Sequence, residues 1–372
     1  MNITYTQPVE IIFGSNKLND LYNILNENDL FNGMLVCDPY FIRSGLANKI
    51  MHYSKGLITN IFFDIVSNPT IESVDKCAEI IRSKDIKFLA ALGGGSSLDC
   101  AKAAASVCKS NHSIVQYHSS NRKLSNEHIP LIAIPTTAGT GSEVSCKSVL
   151  TDPLRGIKSP ISSKNFYPTI AIIDPVLTQT LPPKITASTG FDALCHAIES
   201  YSSRLHKPEA EQYSITAAKL IFENLLKAYR DGSNLEAREK MSEASVLAGL
   251  AADISGTTAS HACSYPLTYL YDLRHGEACA FTLDSFIRIN AAAESGRLHL
   301  FAKQLGFDDA NHMADRIRQM KLQLGMKTTL SEVGIEANDI ENLAILSMQP
   351  DMVNNPVVIG IDKLVEMYHS LR

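Results

Sequence analysis

The sequence predicts an N-terminal α/β domain built on a parallel sheet, followed by an all-helical domain. Three observations carry that expectation. Short apolar runs alternate with helical stretches through the first half of the chain. A glycine-rich segment, Gly93-Gly94-Gly95-Ser96, joins one of those runs to a helix. From about residue 185 onward, helix-period segments dominate. Strands that alternate with helices argue for a parallel sheet covered on both faces, and right-handed crossovers make such a sheet a Rossmann-like layer.

Taken in order, Met34–Cys37, Ile61–Phe63, Lys87–Leu92, Leu131–Ile134 and Ile170–Ile173 read as buried strands, with Ile71–Arg82 and Ser96–Cys108 as helices between them. The pair Pro182-Pro183 interrupts regular structure, which sets the expected domains at residues 1–182 and 183–372. Beyond it, Ile185–Ser203, Glu209–Arg230, Ala237–Asp253, Gly256–Leu270 and Glu277–Ala293 read as helices. Leu298–Leu305, Asp309–Leu324, Ala337–Ser347 and Asp362–Leu371 follow in the same period. Within the second of these helices, Ala210, Tyr213, Ala217 and Leu220 make one apolar stripe.

Size and composition narrow the function classes. A chain of 372 residues has room for two domains. A net charge of −5 gives no electrostatic case for nucleic acid or an acidic membrane as partner. Met1–Phe13 lacks the continuous apolar core of a signal peptide, and no window approaches the roughly 18–20 apolar residues of a membrane span. None of the eight cysteines forms a C-x-x-C pair, which excludes a zinc ribbon or thioredoxin-like motif. Scattered thiols suit a reducing cytosol, so a cytoplasmic location is expected. Cys195 and Cys263, each near a candidate ligand, are expected to pack as small apolar groups.

The chemistry concentrates in a few places. Asp192 and His196 stand four residues apart in a helix-forming stretch, so they share one helix face. Alone, such a pair reads as an ordinary helix-surface contact. With His261 and His275 it makes a four-ligand set for a divalent metal of borderline softness. Upstream, Gly93-Gly94-Gly95-Ser96 follows a strand and opens a helix, where bare backbone N–H groups and the helix dipole suit a pyrophosphate. It lacks the G-x-G-x-x-G spacing of the common dinucleotide fingerprint. A second loop, Thr136-Thr137-Ala138-Gly139-Thr140-Gly141-Ser142, is dense in hydroxyls suited to a ribose or phosphate. Asp38 ends the first clear strand. It reads either as a ribose acceptor that favours NAD over NADP or as the Asp of an Asp-Pro turn.

Together these segments resemble the iron-containing (group III) alcohol dehydrogenase family across nearly the whole chain. The resemblance rests on Gly93–Ser96 through Asp99 and Lys102, Pro135–Glu143, Tyr167-Pro168-Thr169 with Ile173-Asp174-Pro175, Gly190–Glu199, His275-Gly276 and Asn355-Pro356. It implies a dehydroquinate synthase-like architecture, with cofactor and metal in the cleft between the domains. It implies Fe(II) or Zn(II) held by Asp192, His196, His261 and His275, and NAD(H) as cofactor. Cofactor contacts are implied at Gly94, Gly95 and Ser96 with Asp99 nearby, at Thr136, Thr137, Thr140 and Ser142, and at Asp38 and Lys158. Asn68, Thr178 and Leu181 occupy positions that often line the cofactor in this family. A homodimer or larger homo-oligomer is implied as well.

One position departs from the family. Where many members carry a second histidine four residues after the ligand matching His261, this chain has Tyr265. A phenol with a reference pKa near 10 cannot shuttle protons at neutral pH without a large shift, so proton transfer through water or the cofactor ribose is expected instead.

The implied activity is hydride transfer between nicotinamide and a small aldehyde or primary alcohol. The segments Ser264–Thr268 and His275–Ala280 look like the branch containing phosphonoacetaldehyde reductases, which makes an anionic two-carbon aldehyde the first expectation. Arg274 either pairs with the anionic group or solvates a helix end. A short-chain alcohol or diol dehydrogenase is the next reading. Dehydroquinate synthase-like and glycerol-phosphate dehydrogenase-like enzymes share the fold, and a non-catalytic nucleotide-binding protein requires a broken ligand set that this chain does not have.

Overall fold

The computed structural model describes residues 6–110, 112–118, 120 and 122–371. The ends of the two expected domains, residues 1–5 and 372, lie outside the described residues, as does the start of the Met1–Phe13 segment.

The chain divides into two compact units. One comprises the residues up to Thr137 together with Ser142–Gln179; the other comprises Ala138–Gly141 and Thr180 onward. The chain therefore leaves the first unit for four residues, inside the hydroxyl-rich loop, before its final departure near Gln179.

In the first unit the elements run β1 (Glu10–Phe13), α1 (Leu21–Glu27), β2 (Gly33–Cys37), α2 (Pro39–Arg43), α3 (Leu46–Tyr53), β3 (Ile58–Phe62), α4 (Ile71–Ser83), β4 (Phe88–Gly93) and α5 (Gly95–Val107). They continue with β5 (Leu131–Pro135), β6 (Lys147–Asp152), β7 (Ile157–Ser162) and β8 (Ile170–Ile173). Six of the strands form one sheet in the order β1-β8-β5-β4-β2-β3, and all of its pairings are parallel. The central strands β2, β4, β5 and β8 are buried along their whole length, which is why they read as unbroken apolar runs. Leu35, Leu92, Ile132 and Ile172 belong to the core under α1 and α3.

Going from β2 to β3 the chain steps one way, and going on to β4 it steps the other way. That reversal places a topological switch point between β2 and β4, where open α/β sheets leave a crevice at the strand carboxyl ends. Asp38 follows β2 and Gly94 follows β4, so both flank it.

Two features of this unit were not legible as elements. β1 is a four-residue edge strand with both ends exposed. β6 and β7 form a separate antiparallel hairpin, with Lys158 paired to Thr151. Asp152 holds its turn by accepting from the Leu154 and Arg155 amides at 3.1 and 3.2 Å, and Gly156 supplies the left-handed residue at φ 65°.

The second unit is helical: α6 (Pro183–Ser202), α7 (Pro208–Arg230), α8 (Leu235–Ser255), α9 (Ala259–Tyr271), α10 (His275–Ala291), α11 (Arg297–Gln304), α12 (Ala310–Gln323), α13 (Leu330–Val333), α14 (Ile340–Leu346) and α15 (Ile361–His369). Pro182 and Pro183 open α6 at its cap and first position, where the missing N–H costs nothing. The helix expected from Gly256 begins instead at Ala259, because Gly256 adopts φ 71° as the cap of α8. α6, α7, α8, α10 and α12 share one core that includes Phe191, Leu194, Ile221, Met241, Leu283 and Ile317. Each large aliphatic side chain so buried contributes roughly 1.5–3 kcal/mol. Ala210 and Ala217 of the stripe are buried, while Tyr213 and Leu220 are only partly buried. Lys321 on α12 is buried, pairs with Asp284, and donates to the Ala280 and Phe281 carbonyls at 3.0 and 3.2 Å, which ties α12 to α10. Among the described residues no helix is long and apolar enough to cross a membrane.

Candidate metal centre and nucleotide loops

The helical unit brings Asp192, His196, His261 and His275 together. Asp192 and His196 lie one turn apart on α6, His261 lies in the first turn of α9, and His275 is the first residue of α10. Asp192 Oδ1 is 3.6 Å from His261 Nε2 and 3.8 Å from His275 Nε2. His261 Nε2 is 3.1 Å from His196 Nε2. Asp192, His196 and His261 are buried, and the His275 side chain is partly exposed.

Neighbouring groups set which ring nitrogens face this cluster. Glu199, seven residues after Asp192 on α6, is buried. Its Oε1 accepts from Thr258 N, Thr258 Oγ1, Ser260 N and His261 N at 3.2, 2.8, 2.8 and 3.3 Å. Its Oε2 pairs with His261 Nδ1. The imidazole therefore donates through Nδ1 and turns an unprotonated Nε2 inward, the carboxylate–histidine arrangement that supports a metal ligand. Ser264 does the same for His275. Its hydroxyl donates to His261 O at 2.7 Å and so accepts from His275 Nδ1 at 3.3 Å.

The electrostatics agree. Burial by itself raises the Asp192 carboxyl, but His196, His275 and His261 outweigh it and hold it well below the usual carboxylate range. Burial likewise raises Glu199, and His261 reverses the sign.

Whether a divalent cation fits is decided by the donors themselves. Asp192 Oδ1 is buried with no hydrogen bond among the described residues, an unmet acceptor that a cation in this cluster would satisfy. Around it stand imidazole nitrogens at separations expected of donors that share one ion with bonds of about 2.0–2.3 Å. Oxygen and nitrogen donors of this kind suit Fe(II) or Zn(II). The residues fit the group.

Close packing of α10 against α6 holds the centre. A Cβ on Gly276 would lie 2.0 Å from Ser188 O and 2.9 Å from Asp192 Cβ. Glu277 N donates to Ser188 Oγ at 3.2 Å. Tyr265 stacks on His275 with ring centroids 6.3 Å apart and donates its hydroxyl to Asp351 Oδ2 at 2.9 Å. Burial, reinforced by Asp351, raises that phenol well above its ordinary range. A phenol so raised keeps its proton near neutral pH.

In the first unit, Gly93 leaves β4 at φ 147°, and a Cβ there would meet Ser97 Oγ at 2.5 Å. Gly94 caps α5, which begins at Gly95. Thr136 N bonds Gly93 O at 2.9 Å, joining the two loops. Asn68, Ser96 and Lys158, far apart in sequence, come together: Asn68 N donates to Ser96 Oγ at 3.2 Å, and Lys158 Nζ donates to Asn68 Oδ1 at 2.8 Å. Asp38 caps α2, with Oδ1 accepting from Tyr40 N at 2.7 Å, so it is an Asp-Pro cap whatever else it binds.

Asp99 is committed to the protein. Its two oxygens accept from Ser142 Oγ at 2.7 Å and Val149 N at 2.9 Å, which ties α5 to the end of the loop and to β6. Thr137 stands 3.2 Å from the place a Gly94 Cβ would take. Thr178 Oγ1 donates locally to Pro175 O at 2.7 Å. Thr140 and Leu181 fall in the second unit, where Leu181 O accepts from Arg238 Nη2 at 3.4 Å.

Sequence reasoning did not assign roles to Glu199, Ser264, Asp351 or Cys279. Glu199 and Cys279 were open to it, since they follow His196 by three residues and His275 by four, spacings that share a helix face. Ser264 and Asp351 gave no such signal. Cys195 and Cys263 are fully buried, and burial pushes both thiols up, Cys263 to about 12. All eight cysteines are free thiols.

An α/β unit with phosphate-type loops and a helical unit with a cluster of metal-type donors define a metal-dependent nucleotide-linked enzyme class. Comparison with known proteins gives the family. Residues 8–175 match the iron-containing alcohol dehydrogenase family, and residues 186–371 match the Fe-containing alcohol dehydrogenase family, C-terminal. The chain is 30% identical to alcohol dehydrogenase 4 of Schizosaccharomyces pombe over 366 residues, covering 96% of this chain and 86% of that protein. It is 32% identical to choline dehydrogenase of Bacillus subtilis, covering 87% and 83% respectively. Among solved structures, sulfoacetaldehyde reductase from Bifidobacterium kashiwanohense in complex with NAD+ is 46% identical, with a TM-score of 0.96 over 100% of this chain and 99% of that one. A 1,3-propanediol oxidoreductase is 29% identical with a TM-score of 0.94, each chain covered in full. This chain belongs to the iron-containing alcohol dehydrogenase family, and it is an oxidoreductase of alcohols and aldehydes.

Proposed function

We propose that this enzyme reduces a small aldehyde bearing an anionic sulfonate or phosphonate group to the corresponding primary alcohol, using NADH. The observation that carries the substrate class is the 46% identity, over the whole chain, to a sulfoacetaldehyde reductase. Arg274 supports it: an exposed guanidinium at the cap of α10, next to His275, beside a helix N-terminus that favours negative charge.

Asp192, His196, His261 and His275 would hold the metal, which when bound supplies Lewis acidity toward a carbonyl or alcohol oxygen, while the nicotinamide supplies or takes the hydride. The remaining work belongs to the chain. Glu199 and Ser264 keep His261 and His275 in the tautomer that binds. Gly94, Gly95 and Ser96 present amides to a pyrophosphate at the start of α5, with Thr136, Thr137, Thr140 and Ser142 on the neighbouring loop. Asp38 would accept from the adenosine ribose and repel a 2′-phosphate. Lys158, steadied by Asn68, would reach the nicotinamide ribose, and Thr178 and Leu181 would line the cofactor. Asp99 orders the loop through Ser142.

The test is NADH oxidation by metal-reconstituted enzyme with sulfoacetaldehyde, phosphonoacetaldehyde and propanal in parallel. Preference for one of the anionic aldehydes is expected. Arg274→Gln is expected to raise KM for that substrate about tenfold or more while leaving propanal unchanged, in line with a lost charge-assisted contact. Equal turnover of propanal and both anions would remove the anion site and leave a short-chain alcohol or diol dehydrogenase.

A further inference from the structure

The hydroxyl-rich loop is held differently at its ends and at its middle. On the near side, Thr136 N bonds Gly93 O at 2.9 Å, and Thr137 stands 3.2 Å from the place a Gly94 Cβ would take. On the far side, Ser142 Oγ donates to Asp99 of α5 at 2.7 Å. Both ends are thus tied to the phosphate-type loop and to the helix it opens. The four residues between them belong to the helical unit. Ala138 is buried in the core that includes Ala187 and Phe191 of α6. A Cβ on Gly139 would lie 2.5 Å from Thr189 O and 2.6 Å from Thr189 Cβ. One on Gly141, which has φ 59°, would lie 2.4 Å from Gly249 Cα of α8. Backbone packed this closely has no room to shift without moving its neighbours.

The turn it touches is the one that leads into Asp192. Thr189 precedes that proposed ligand by three residues on α6. Ser188, beside it, meets Gly276 of α10, the residue after His275. Gly139 and Gly276 therefore bear on one turn of one helix. We propose that Ala138–Gly141 is a strap that couples the nucleotide loops to the metal centre, so that nucleotide and iron each bind more tightly when the other is present. Nucleotide on the phosphate-type loop fixes both ends of the strap, and the strap steadies Ser188–Asp192. Whichever ligand binds first orders the loop and the turn together, so the second meets less of that entropic cost. Such coupling is reciprocal, and its usual range is about 5- to 150-fold. This inference rests on the metal centre and nucleotide loops proposed above.

The experiment uses ADP-ribose, which carries the pyrophosphate and lacks the nicotinamide, so that ring and metal cannot meet directly. Its Kd for the metal-stripped full-length protein is measured by calorimetry, without metal and with saturating Fe(II) under anaerobic conditions. Wild type, Gly139→Ala, Ala138→Gly and Asp192→Ala are compared. Wild type is expected to bind ADP-ribose about tenfold more tightly with Fe(II). Gly139→Ala pushes the strap off Thr189 and Ala138→Gly loosens it from the core, so each should bring that ratio to about twofold or less. Hydrogen exchange on metal-free wild type needs no variant: ADP-ribose should slow exchange at residues 188–192 as well as along α5. A wild-type ratio of one, an undiminished ratio in both folded variants, or no added protection at residues 188–192 would overturn the strap and leave the metal centre standing. Fe(II) binding that is absent in wild type, or unchanged in folded Asp192→Ala, would overturn the metal centre and this inference with it. No binding of ADP-ribose by wild type would do the same for the nucleotide loops. Circular dichroism of each variant separates lost binding from lost folding.

Discussion

Glu143 shows how one residue can carry a cost without touching the chemistry. It is buried beside the hydroxyl-rich loop, and burial, only partly offset by its own backbone contact and by Lys102, pushes its carboxyl from 4.5 up to about 7. The folded state holds this proton more tightly than the unfolded chain. Stability is therefore fully present below about pH 4.5 and falls as pH rises toward 7, by at most roughly 3 kcal/mol. Glu143→Gln should raise the midpoint of thermal unfolding at pH 8 and change it little at pH 5. A difference that stayed constant between those pH values would show that Glu143 does not titrate in this way. Glu199 is the opposite case: equally buried, but five contacts around Thr258, Ser260 and His261 stabilise its charge. Both glutamates stand in the quoted motifs, yet the sequence alone did not distinguish them. Burial is common to the two, and only the partners differ.

At the scale of elements, the centre depends on how closely α10 approaches α6. Glycine at 276 is required by that approach, because any Cβ would enter Ser188 O and crowd Asp192. Gly276→Ala should force the helices apart, lowering stability by about 1–3 kcal/mol and weakening Zn(II) binding at the same time. Calorimetry and metal competition on the purified variant check both, and an unaltered Zn(II) affinity would mean that the helix spacing does not set the ligand geometry. The elements themselves were largely legible. The five strands and the long helices announced themselves by continuous apolar runs or by a 3.6-residue period, because each buries a wide face. β1 and the β6–β7 hairpin escaped because short edge strands bury too little for a pattern to stand out. The helix starts moved by two or three residues where a glycine cap or a ligand histidine, Gly256 or His275, held the first turn.

For the molecule as a whole, the four proposed ligands come from the helical unit and the phosphate-type loop from the α/β unit. Metal and nucleotide should therefore stabilise different parts of the chain. Removing the metal should lower the stability of the helical unit by about 2.7 kcal/mol relative to protein at a free-metal level one hundred times its Kd, and its unfolding temperature with it. NADH should protect the α/β unit in the stripped protein as well. Hydrogen exchange resolved along the sequence distinguishes the two, and metal-dependent protection confined to residues 6–137 would contradict the assignment.

What the sequence determined by itself was the class of fold and the family, and it nominated the proposed ligands and loop residues. These are encoded locally, in periodicity, in glycine at a strand-to-helix turn, and in an Asp and a His spaced four residues apart. Tertiary structure decided the rest. It brought Lys158 to Asn68 across 90 positions, tied Asp99 to Ser142 and Val149, bound the Tyr265 hydroxyl to Asp351, and packed Cys279 against His275. Each of those depends on which surfaces meet. A hydrogen-bond partner supplied by another element leaves no periodic trace in the chain that receives it.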